Sequence, residues 1–391
     1  MSTLSYWNDK KNIKKEVDIV IVGGGIAGLS TLYWLKEKDP NLKVALVDKG
    51  NIGSGATGRN AGFVTCGSVE HFNRMVSKHG KQEALDIWNY SEDNLRLLKE
   101  HVIKNNKDYL MFEENGSCSL ASTNEEFNEL KKSAELMESC GINVEVLDEN
   151  MIKNRLGGDN FSGGIKYIDD ATINPTRLLD TIKNLSEDNN HQIYENAEVL
   201  SIENVGDEKI VKTSRLEIKT SIVILATNGY SPLLNDYFKG KIEPTRGQIL
   251  ATEPVPRFME SSCYANFVLD YFRQIPSGEV IIGGFRQLQK DVEKGYDDEI
   301  SDVIQGALEE FLKKHIPAVR TAKITHRWTG IMGFSIDGQP LIGSIPSDPS
   351  IYFLGGFTAH GLGLSFKSAK VLVDSLIDGT EIPKFVSARR L

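Results

Sequence analysis

The stretch VDIVIVGGGIAG, residues 17–28, places a short β-rich apolar run directly before a glycine-rich turn. Apolar residues at helical spacing follow over 26–38, and a second apolar run at 44–47 ends at Asp48. The order of strand, GxGxxG turn, helix, strand and acid is typical of a dinucleotide-binding unit. This segment therefore predicts an α/β unit at the start of the chain, with NAD and FAD both open as the dinucleotide.

The residue types of this turn each suit one task in holding a dinucleotide. Gly23 permits the tight turn, Gly25 lets a pyrophosphate approach the backbone, and Gly28 lets helix and strand pack closely. The helix N-terminus offers amide donors and the positive end of the helix dipole. Asp48 is expected to accept hydrogen bonds from the adenosine ribose hydroxyls.

Two further glycine-rich segments lie downstream. Residues 53–62, GSGATGRNAG, combine small residues that allow close backbone approach with polar side chains that can donate to a phosphate. Near the other end, the apolar run 351–354, the turn 355–361 and the apolar-faced segment 362–376 predict a second glycine-opened helix. Its dipole would stabilise the negative charge of a reduced flavin. A surface loop and an ordinary packing turn stay open as the alternatives.

Composition and charge exclude several classes of protein. The 391 residues carry a net charge of −9 and no basic run in the folded region, which argues against nucleic acid as a partner. The longest apolar runs, such as 19–22 and 222–226, are too short to span a membrane, and residues 1–16 lack the apolar core of a secretory signal. The four cysteines form no CxxC pair, and no metal site is expected. We expect a soluble cytoplasmic protein that acts on a small molecule.

Seven motifs occur in one order along almost the whole chain: GGGIAGLS, VDKG, GATGRNAGF, ILATNGY, DYFR followed by IIGG, WTGIMGFSIDGQPLIG and GGFTAHGLGLS. Together they resemble the D-amino-acid-oxidase and glycine/sarcosine-oxidase superfamily of FAD-dependent oxidoreductases. The early SYW, GATGRNAGF and DYFR are most similar to the γ-glutamylputrescine-oxidase type subgroup. The resemblance implies an α/β fold, with a Rossmann-type FAD-binding domain interleaved with an α+β substrate domain built on a mixed or antiparallel sheet.

The order of the motifs predicts the domain organisation. Motifs for FAD lie at the start, middle and end, so the FAD-binding domain is expected to be discontinuous, at 1–95, 160–230 and 330–391. The intervening segments 96–159 and 231–329 are expected to form the substrate-binding domain.

Local patterns predict elements within these segments. Helical spacing over 82–104 predicts a helix, and 110–121 and 264–285 read as strands broken at Gly116 and at 276–278.

The resemblance also implies which residues contact FAD, which is expected to be bound noncovalently because 330–332 lack the flavin-linking cysteine of the sarcosine-oxidase branch. The implied FAD contacts are Gly23, Gly25, Ile26, Ala27, Gly28, Asp48, Lys49, Ala56, Thr57, Arg59, Asn60, Ala61, Gly62, Val199, Ala226, Thr227, Gly330, Gly356, His360, Gly361 and Leu362.

The implied reaction is oxidation of the carbon–nitrogen bond of a small amine or amino acid. A hydride passes from the α-carbon to flavin N5, water hydrolyses the resulting imine, and the electrons go to oxygen or another acceptor. His360, Tyr271, Arg273 and Arg286 are the candidates for catalysis and substrate binding, and a packing or surface role stays open for each.

Three departures from the family pattern bear on the substrate and the acceptor. The arginine that clasps a substrate carboxylate in related branches is missing near Met332, and Gly363 stands where the sarcosine branch has a lysine. A substrate without an α-carboxylate is therefore preferred, with a different anion site at Arg59, Arg273 and Arg286 open as the alternative. Ile281 or Ile282 replaces the lysine that speeds reaction with oxygen, so oxygen need not be the acceptor.

Two other interpretations remain open. A noncatalytic or subunit-type flavoprotein of an electron-transfer or tRNA-modifying system fits the same motifs. An NAD-dependent dehydrogenase shares the first glycine turn but has no need of the second one, at 355–361.

Overall fold

The structure is a computed structural model that describes residues 13–65, 67, 69–266 and 270–391, so Cys66 lies outside the described residues. The chain divides into two compact units. The first unit comprises the described residues of Met1–Gly58, Thr176–Thr245 and Met332–Leu391, and the second unit those of Arg59–Pro175 and Arg246–Ile331.

The strands are β1 (Ile13–Glu16), β2 (Ile19–Val22), β3 (Val44–Val47), β4 (Phe63–Val64), β5 (Ser117–Ala121), β6 (Val144–Asp148), β7 (Gly163–Tyr167), β8 (Ala171–Thr172), β9 (His191–Tyr194), β10 (Val199–Val205), β11 (Glu208–Thr213), β12 (Leu216–Thr220), β13 (Ile222–Leu225), β14 (Ile242–Thr252), β15 (Ser262–Ala265), β16 (Asp270–Gln274), β17 (Val280–Gly283), β18 (Ile324–Ser335), β19 (Leu341–Ile345) and β20 (Asp348–Gly355). The α-helices are α1 (Ile26–Lys38), α2 (Val69–His79), α3 (Lys81–Leu98), α4 (Asn124–Glu138), α5 (Glu149–Leu156), α6 (Pro175–Ser186), α7 (Ser231–Leu234), α8 (Asp302–His315) and α9 (Gly361–Asp378).

A six-stranded sheet in the order β19-β20-β13-β2-β3-β9 forms the centre of the first unit. The strands from β20 to β9 are parallel, and only β19 runs antiparallel to its neighbour. All residues of β2 and β3 are buried, as expected for a parallel sheet covered on both faces. The carboxyl ends of β2, β3, β13 and β20 therefore share one edge, which we call the carboxyl edge.

Helices α1 and α9 lie side by side in the first unit. Every residue of α1 from Ile26 to Leu35 is buried. The Trp34 indole donates to the backbone carbonyl of Phe366 at 2.9 Å, and the Trp34 and Phe366 rings are 5.0 Å apart. The two glycine-opened helices predicted from opposite ends of the chain are thus packing partners.

A four-stranded sheet in the order β1-β12-β11-β10 completes the strands of the first unit. β1 and β12 pair in parallel, and the other pairs are antiparallel. Val199, at the start of β10, packs against the apolar core of this unit.

The second unit is built on an eight-stranded sheet in the order β18-β14-β17-β16-β15-β5-β7-β6, with β4 and β8 as a separate pair. Its β15–β5 pair is parallel and the neighbouring pairs β15–β16 and β5–β7 are antiparallel, so the sheet is mixed. Buried residues of α8, including Leu308 and Phe311, belong to the same core cluster as Phe272 and Ile282 of the sheet. The predicted class, a Rossmann-type α/β part with a second mixed-sheet part, is confirmed.

Local predictions succeeded where a residue pattern is strong. The helix at 26–38 and the strand at 44–47 have the predicted bounds, and α3 falls within the predicted helix at 82–104 apart from its first residue. The predicted break at Gly116 is present, with a φ of +74°, and the strand after it is confirmed at Ser117–Ala121. Residues 110–115 are not a strand, because a turn at this point gives Met111 a φ of +48° and directs the Phe112 N–H to the Lys107 carbonyl oxygen at 2.9 Å. Among the described residues, no helix combines the length and hydrophobicity needed to cross a bilayer.

Candidate functional site

The turn after β2 accepts only glycine at two positions. Gly23 has a φ of +109°, and a Cβ there would lie 2.7 Å from the carbonyl oxygen of Ala226. A Cβ on Gly28 would lie 1.8 Å from the carbonyl oxygen of Gly23. β2, α1 and the end of β13 therefore approach each other as closely as backbone atoms allow.

The N-terminus of α1 provides anion-binding amides at the carboxyl edge. Gly25 is the N-cap and has no side chain, and the first intrahelical hydrogen bond runs from Leu29 N to Gly25 O at 3.0 Å. The N–H groups of the preceding residues have no intrahelical acceptor, and the Ile26 N–H donates instead to Thr57 Oγ1 at 3.1 Å. No acidic residue occupies the first turn. These features fit a pyrophosphate, since the helix dipole favours negative charge there.

Asp48 follows β3 at the same edge. Its two carboxylate oxygens accept separate hydrogen bonds from the backbone N–H groups of Gly24, at 2.6 Å, and Gly50, at 2.8 Å. Burial raises the pKa of Asp48, and these two hydrogen bonds oppose that rise. Each oxygen keeps a second lone pair for a ribose hydroxyl. The ammonium group of the neighbouring Lys49 lies 3.8 Å from the centre of the Tyr230 ring.

The turns after β13 and β20 contact each other. Asn228 Oδ1 accepts a hydrogen bond from the backbone N–H of Gly356 at 2.9 Å. Asn228, Thr358 and Ala359 all have positive φ angles, of 45°, 48° and 69°. Strained residues of this kind cluster at functional sites because the surrounding structure must hold them. His360 ends the second turn as the N-cap of α9.

In the second unit, Arg59 is held by an acidic partner far away in the sequence. Its Nη1 donates to both carboxylate oxygens of Asp298, at 2.8 and 2.7 Å, and to the Thr329 carbonyl oxygen at 3.1 Å. Hydrogen bonds from the Thr329 hydroxyl and from Arg59 lower the pKa of Asp298. A Cβ on Gly330 would lie 3.2 Å from the Arg59 Cβ, so these two predicted FAD contacts are neighbours.

The segment after Arg59 packs against β16 within the second unit. A Cβ on Gly62 would lie 2.9 Å from Arg273 Nη2, and Gly62 N donates to Asn60 Oδ1 at 2.7 Å. The Phe63 ring meets the Tyr271 ring edge-on at 5.7 Å. Predicted FAD contacts and predicted substrate residues therefore lie together in this unit.

The turn that carries Arg286 is fixed by Asp270, which the sequence analysis did not single out. Asp270 is fully buried, and its Oδ1 accepts the Phe285 N–H at 2.6 Å. Burial raises the pKa of Asp270. Burial also raises the pKa of the neighbouring Tyr271 to about 12, although the positive charge of Arg286 opposes this.

The structure thus groups the predicted residues in two places. At the carboxyl edge or on the elements that follow it in the first unit lie Gly23, Gly25, Ile26, Ala27, Gly28, Asp48, Lys49, Ala56, Thr57, Ala226, Thr227, Gly356, His360, Gly361 and Leu362, with Val199 at the start of β10. In the second unit lie Arg59, Asn60, Ala61, Gly62, Gly330, Tyr271, Arg273 and Arg286. Among the described residues, no group of three or more His, Cys, Asp or Glu side chains could hold a metal ion.

Asp298 and Asp270 have partners in these groups, although no sequence pattern singled them out. Asp298 is 239 residues from Arg59, and no local pattern links them. Asp270 opens the DYFR motif, so a buried acid next to a predicted substrate residue was the available signal.

Comparisons with known proteins identify the family of the chain. Residues 18–375 match the family model described as DAO, FAD dependent oxidoreductase. The chain is 25% identical to the probable oxidoreductase OrdL of Haemophilus influenzae, covering 94% of this chain and 84% of that one. It is 24% identical to the γ-glutamylputrescine oxidoreductase of Escherichia coli, covering 94% and 85%. The solved glycine oxidase of Bacillus cereus superposes with a TM-score of 0.80 at 19% identity, covering 93% of this chain and 96% of that one.

The family prediction made from the motifs is therefore confirmed, as is FAD as the cofactor. The glycine-bounded turns and uncapped helix start of the carboxyl edge suit that cofactor. The chain is an oxidoreductase that belongs to the DAO family of FAD-dependent oxidoreductases.

Proposed function

We propose that this protein oxidises the carbon–nitrogen bond of a small amine or amino acid, giving an imine that water hydrolyses. FAD, bound noncovalently, supplies the two-electron oxidation. Two relatives support the substrate class by their names, the γ-glutamylputrescine oxidoreductase and a glycine oxidase of Bacillus subtilis that is 24% identical.

The observation that carries the proposal lies within the second unit. Tyr271 of β16 packs on Phe63, and Arg273 of the same strand face lies against Gly62. Residues 59–62 are proposed FAD contacts, so the side chains of β16 are placed next to the part of the chain that meets the cofactor. A substrate bound by Tyr271 would be held close to the group that oxidises it.

The chain's own residues are proposed to bind and orient the substrate. Tyr271 keeps its proton at neutral pH because burial raises its pKa to about 12, so its hydroxyl can donate a hydrogen bond but does not act as a base. Arg286 lies next to Tyr271 and supplies positive charge to that region. His360, at the start of α9, is the proposed residue of the first unit beside the reacting group.

The substrate is proposed to be an alkylamine in preference to an α-amino acid. The positions at which related branches carry a carboxylate-binding arginine or lysine are Met332 and the buried Gly363. Neither residue can form a charge-assisted hydrogen bond with a carboxylate through its side chain. The electron acceptor is proposed to be oxygen or a quinone-type compound.

An anaerobic screen tests this proposal directly. The purified protein is mixed with primary and secondary amines, N-methyl amino acids, and D- and L-amino acids, and the flavin absorbance near 450 nm is followed. We expect at least one amine to bleach the flavin in one turnover, and oxygen or a quinone-type dye to restore the colour.

A matched control keeps the screen informative. Tyr264 is the cross-strand neighbour of Tyr271 and hydrogen-bonds Thr65, so Tyr264→Phe should leave bleaching unchanged. If dithionite reduces the flavin but no small amine does, the proposed oxidation is rejected in favour of a subunit-type flavoprotein.

A further inference from the structure

One buried cation of the second unit lacks a compensating charge. The Arg273 side chain, on β16, is only 3% exposed. Its Nη2 donates to the carbonyl oxygen of Ile173 at 3.0 Å, but Nε and Nη1 are buried and have no hydrogen-bond partner. Within the part of the chain that the structure describes, no carboxylate forms an ion pair with it. An uncompensated buried charge is costly, and buried N–H groups normally have acceptors.

The neighbouring charged groups do not neutralise Arg273. Two of them, Glu113 and Arg257, influence its pKa, and they are paired with each other at 2.8 Å. The three side chains together carry one excess positive charge. Burial lowers the pKa of Arg273 only to about 10, so the guanidinium stays charged at neutral pH.

A small cavity borders this guanidinium. Arg273, Glu113, Arg257, Glu260, Ser261 and Ser262 are among its lining residues, and the carboxylate of Glu260 is paired with Arg155 and Lys166. The cavity has room for about one water-sized group. Apart from Gly116, every lining residue carries a polar side chain.

We propose that this cavity binds a small monovalent anion, of halide size, on the free Nε and Nη1 groups of Arg273. The anion supplies the missing negative charge and the missing hydrogen-bond acceptor together. A carboxylate has the same chemistry but a larger volume, and room for about one water-sized group favours the smaller anion. The site is therefore assigned to a halide such as chloride.

The anion would also support the loop that precedes Phe63. Arg273 holds the Ile173 carbonyl oxygen, and the Ile173 N–H donates to the Gly62 carbonyl oxygen at 2.8 Å. Occupancy of the cavity thus stabilises the second unit near Gly62 without any need for contact with substrate.

Halide titration of the FAD-loaded protein tests the proposal. The protein is exchanged into sodium gluconate, and chloride or bromide replaces gluconate at constant ionic strength while thermal unfolding is followed. We expect a saturable rise in Tm, about 2 °C at ten times the Kd. Arg273→Met should abolish the saturable rise, whereas Arg320→Met, at a half-exposed arginine of the same unit, should keep it.

Crystals grown in bromide give a readout that does not depend on a variant. We expect an anomalous peak within hydrogen-bonding distance of Arg273 Nε and Nη1. A water at that position, or a halide response that survives Arg273→Met, overturns the proposal. A Tm response to acetate or glycine but not to halides also overturns it, and assigns the site to a ligand carboxylate instead.

Discussion

The carboxyl edge of the first unit and the β16 face of the second unit are built in different ways. At the carboxyl edge, backbone atoms determine the contacts. Two glycines allow a close approach that no side chain permits, and the start of α1 has backbone N–H groups without intrahelical acceptors. On the β16 face, side chains make the contacts, since Tyr271 packs on Phe63 and Arg273 donates to the Ile173 carbonyl oxygen. The comparison teaches that the carboxyl edge depends on close backbone approach at glycines, whereas the β16 face depends on side-chain contacts between distant segments.

Gly28→Ala should have the largest effect, because its Cβ would overlap the Gly23 carbonyl oxygen at 1.8 Å. We expect a loss of ~3 kcal/mol or more in the free energy of unfolding and almost complete loss of bound FAD. The flavin content of the purified protein and urea unfolding measure both. Gly306→Ala, in α8 of the second unit, is the matched control, since a Cβ there has no neighbour within 4 Å and should lower neither quantity. A Gly28→Ala protein that is stable and yellow would show that the close backbone approach at Gly28 is not required for FAD binding.

Substitutions of Asn228 separate backbone strain from hydrogen bonding at the same edge. Alanine at position 228 would have to adopt a φ of 45°, which is unfavourable for it, and would leave the Gly356 N–H without its acceptor. Together these two effects should destabilise the fold by about 2 kcal/mol or more. Glycine at this position relieves the backbone strain but does not restore the hydrogen bond from Gly356, whereas aspartate keeps an acceptor for it. We therefore expect FAD affinity to fall in the order Asn, Asp, Gly, Ala, measured by titrating apoprotein with FAD. Equal affinities in all four proteins would contradict a role for this contact.

Tyr271→Phe tests the side-chain character of the β16 face. The ring contact with Phe63 remains, and only the hydroxyl is lost. We expect kcat/KM for the best amine to fall about tenfold, equivalent to ~1.4 kcal/mol, with unchanged affinity for FAD. Because the pKa of Tyr271 is about 12, wild-type kcat/KM should show no ionisation of this hydroxyl between pH 6 and 9. A fall in the FAD affinity of Tyr271→Phe would instead show that the β16 face also contributes to FAD binding.

Glu260→Gln should have the smallest effect, a small loss of stability at neutral pH that disappears in acid. Hydrogen bonds from Arg155, followed by those from Lys166, lower the pKa of Glu260 to about 2. A carboxylate with a lowered pKa stabilises the fold above its ordinary value of 4.5, and this stabilisation is lost as pH falls towards 2. The wild type should therefore lose more stability than Glu260→Gln over that range, by no more than about 1 kcal/mol because the side chain is partly exposed.

Acid unfolding of Glu310→Gln, at an exposed glutamate of the same unit, provides the control for that comparison. It should follow the wild-type curve. If the Glu260→Gln curve also follows the wild type, the ion pairs of Glu260 with Arg155 and Lys166 contribute nothing measurable to stability.

The first glycine turn shows how far sequence can predict this molecule. Gly23, Gly28 and the helix from Ile26 are encoded within one short segment, so their spacing predicts a dinucleotide-binding α/β unit. Met111 shows the limit of a local pattern, because its φ of +48° puts a turn where a strand was predicted. The partners of Arg59 and the isolation of Arg273 arise from chain segments that meet only in the fold, so no local pattern encodes them.

We propose that the starts of α1 and α9, at one edge of one sheet, hold a single FAD between them. Hydrogen exchange of the apoprotein and the FAD-loaded protein, followed by mass spectrometry, tests this pairing. We expect FAD to slow exchange in peptides covering 23–28 and 356–362 together, with one FAD bound per chain. Protection of only one of these segments, or of neither, would contradict it.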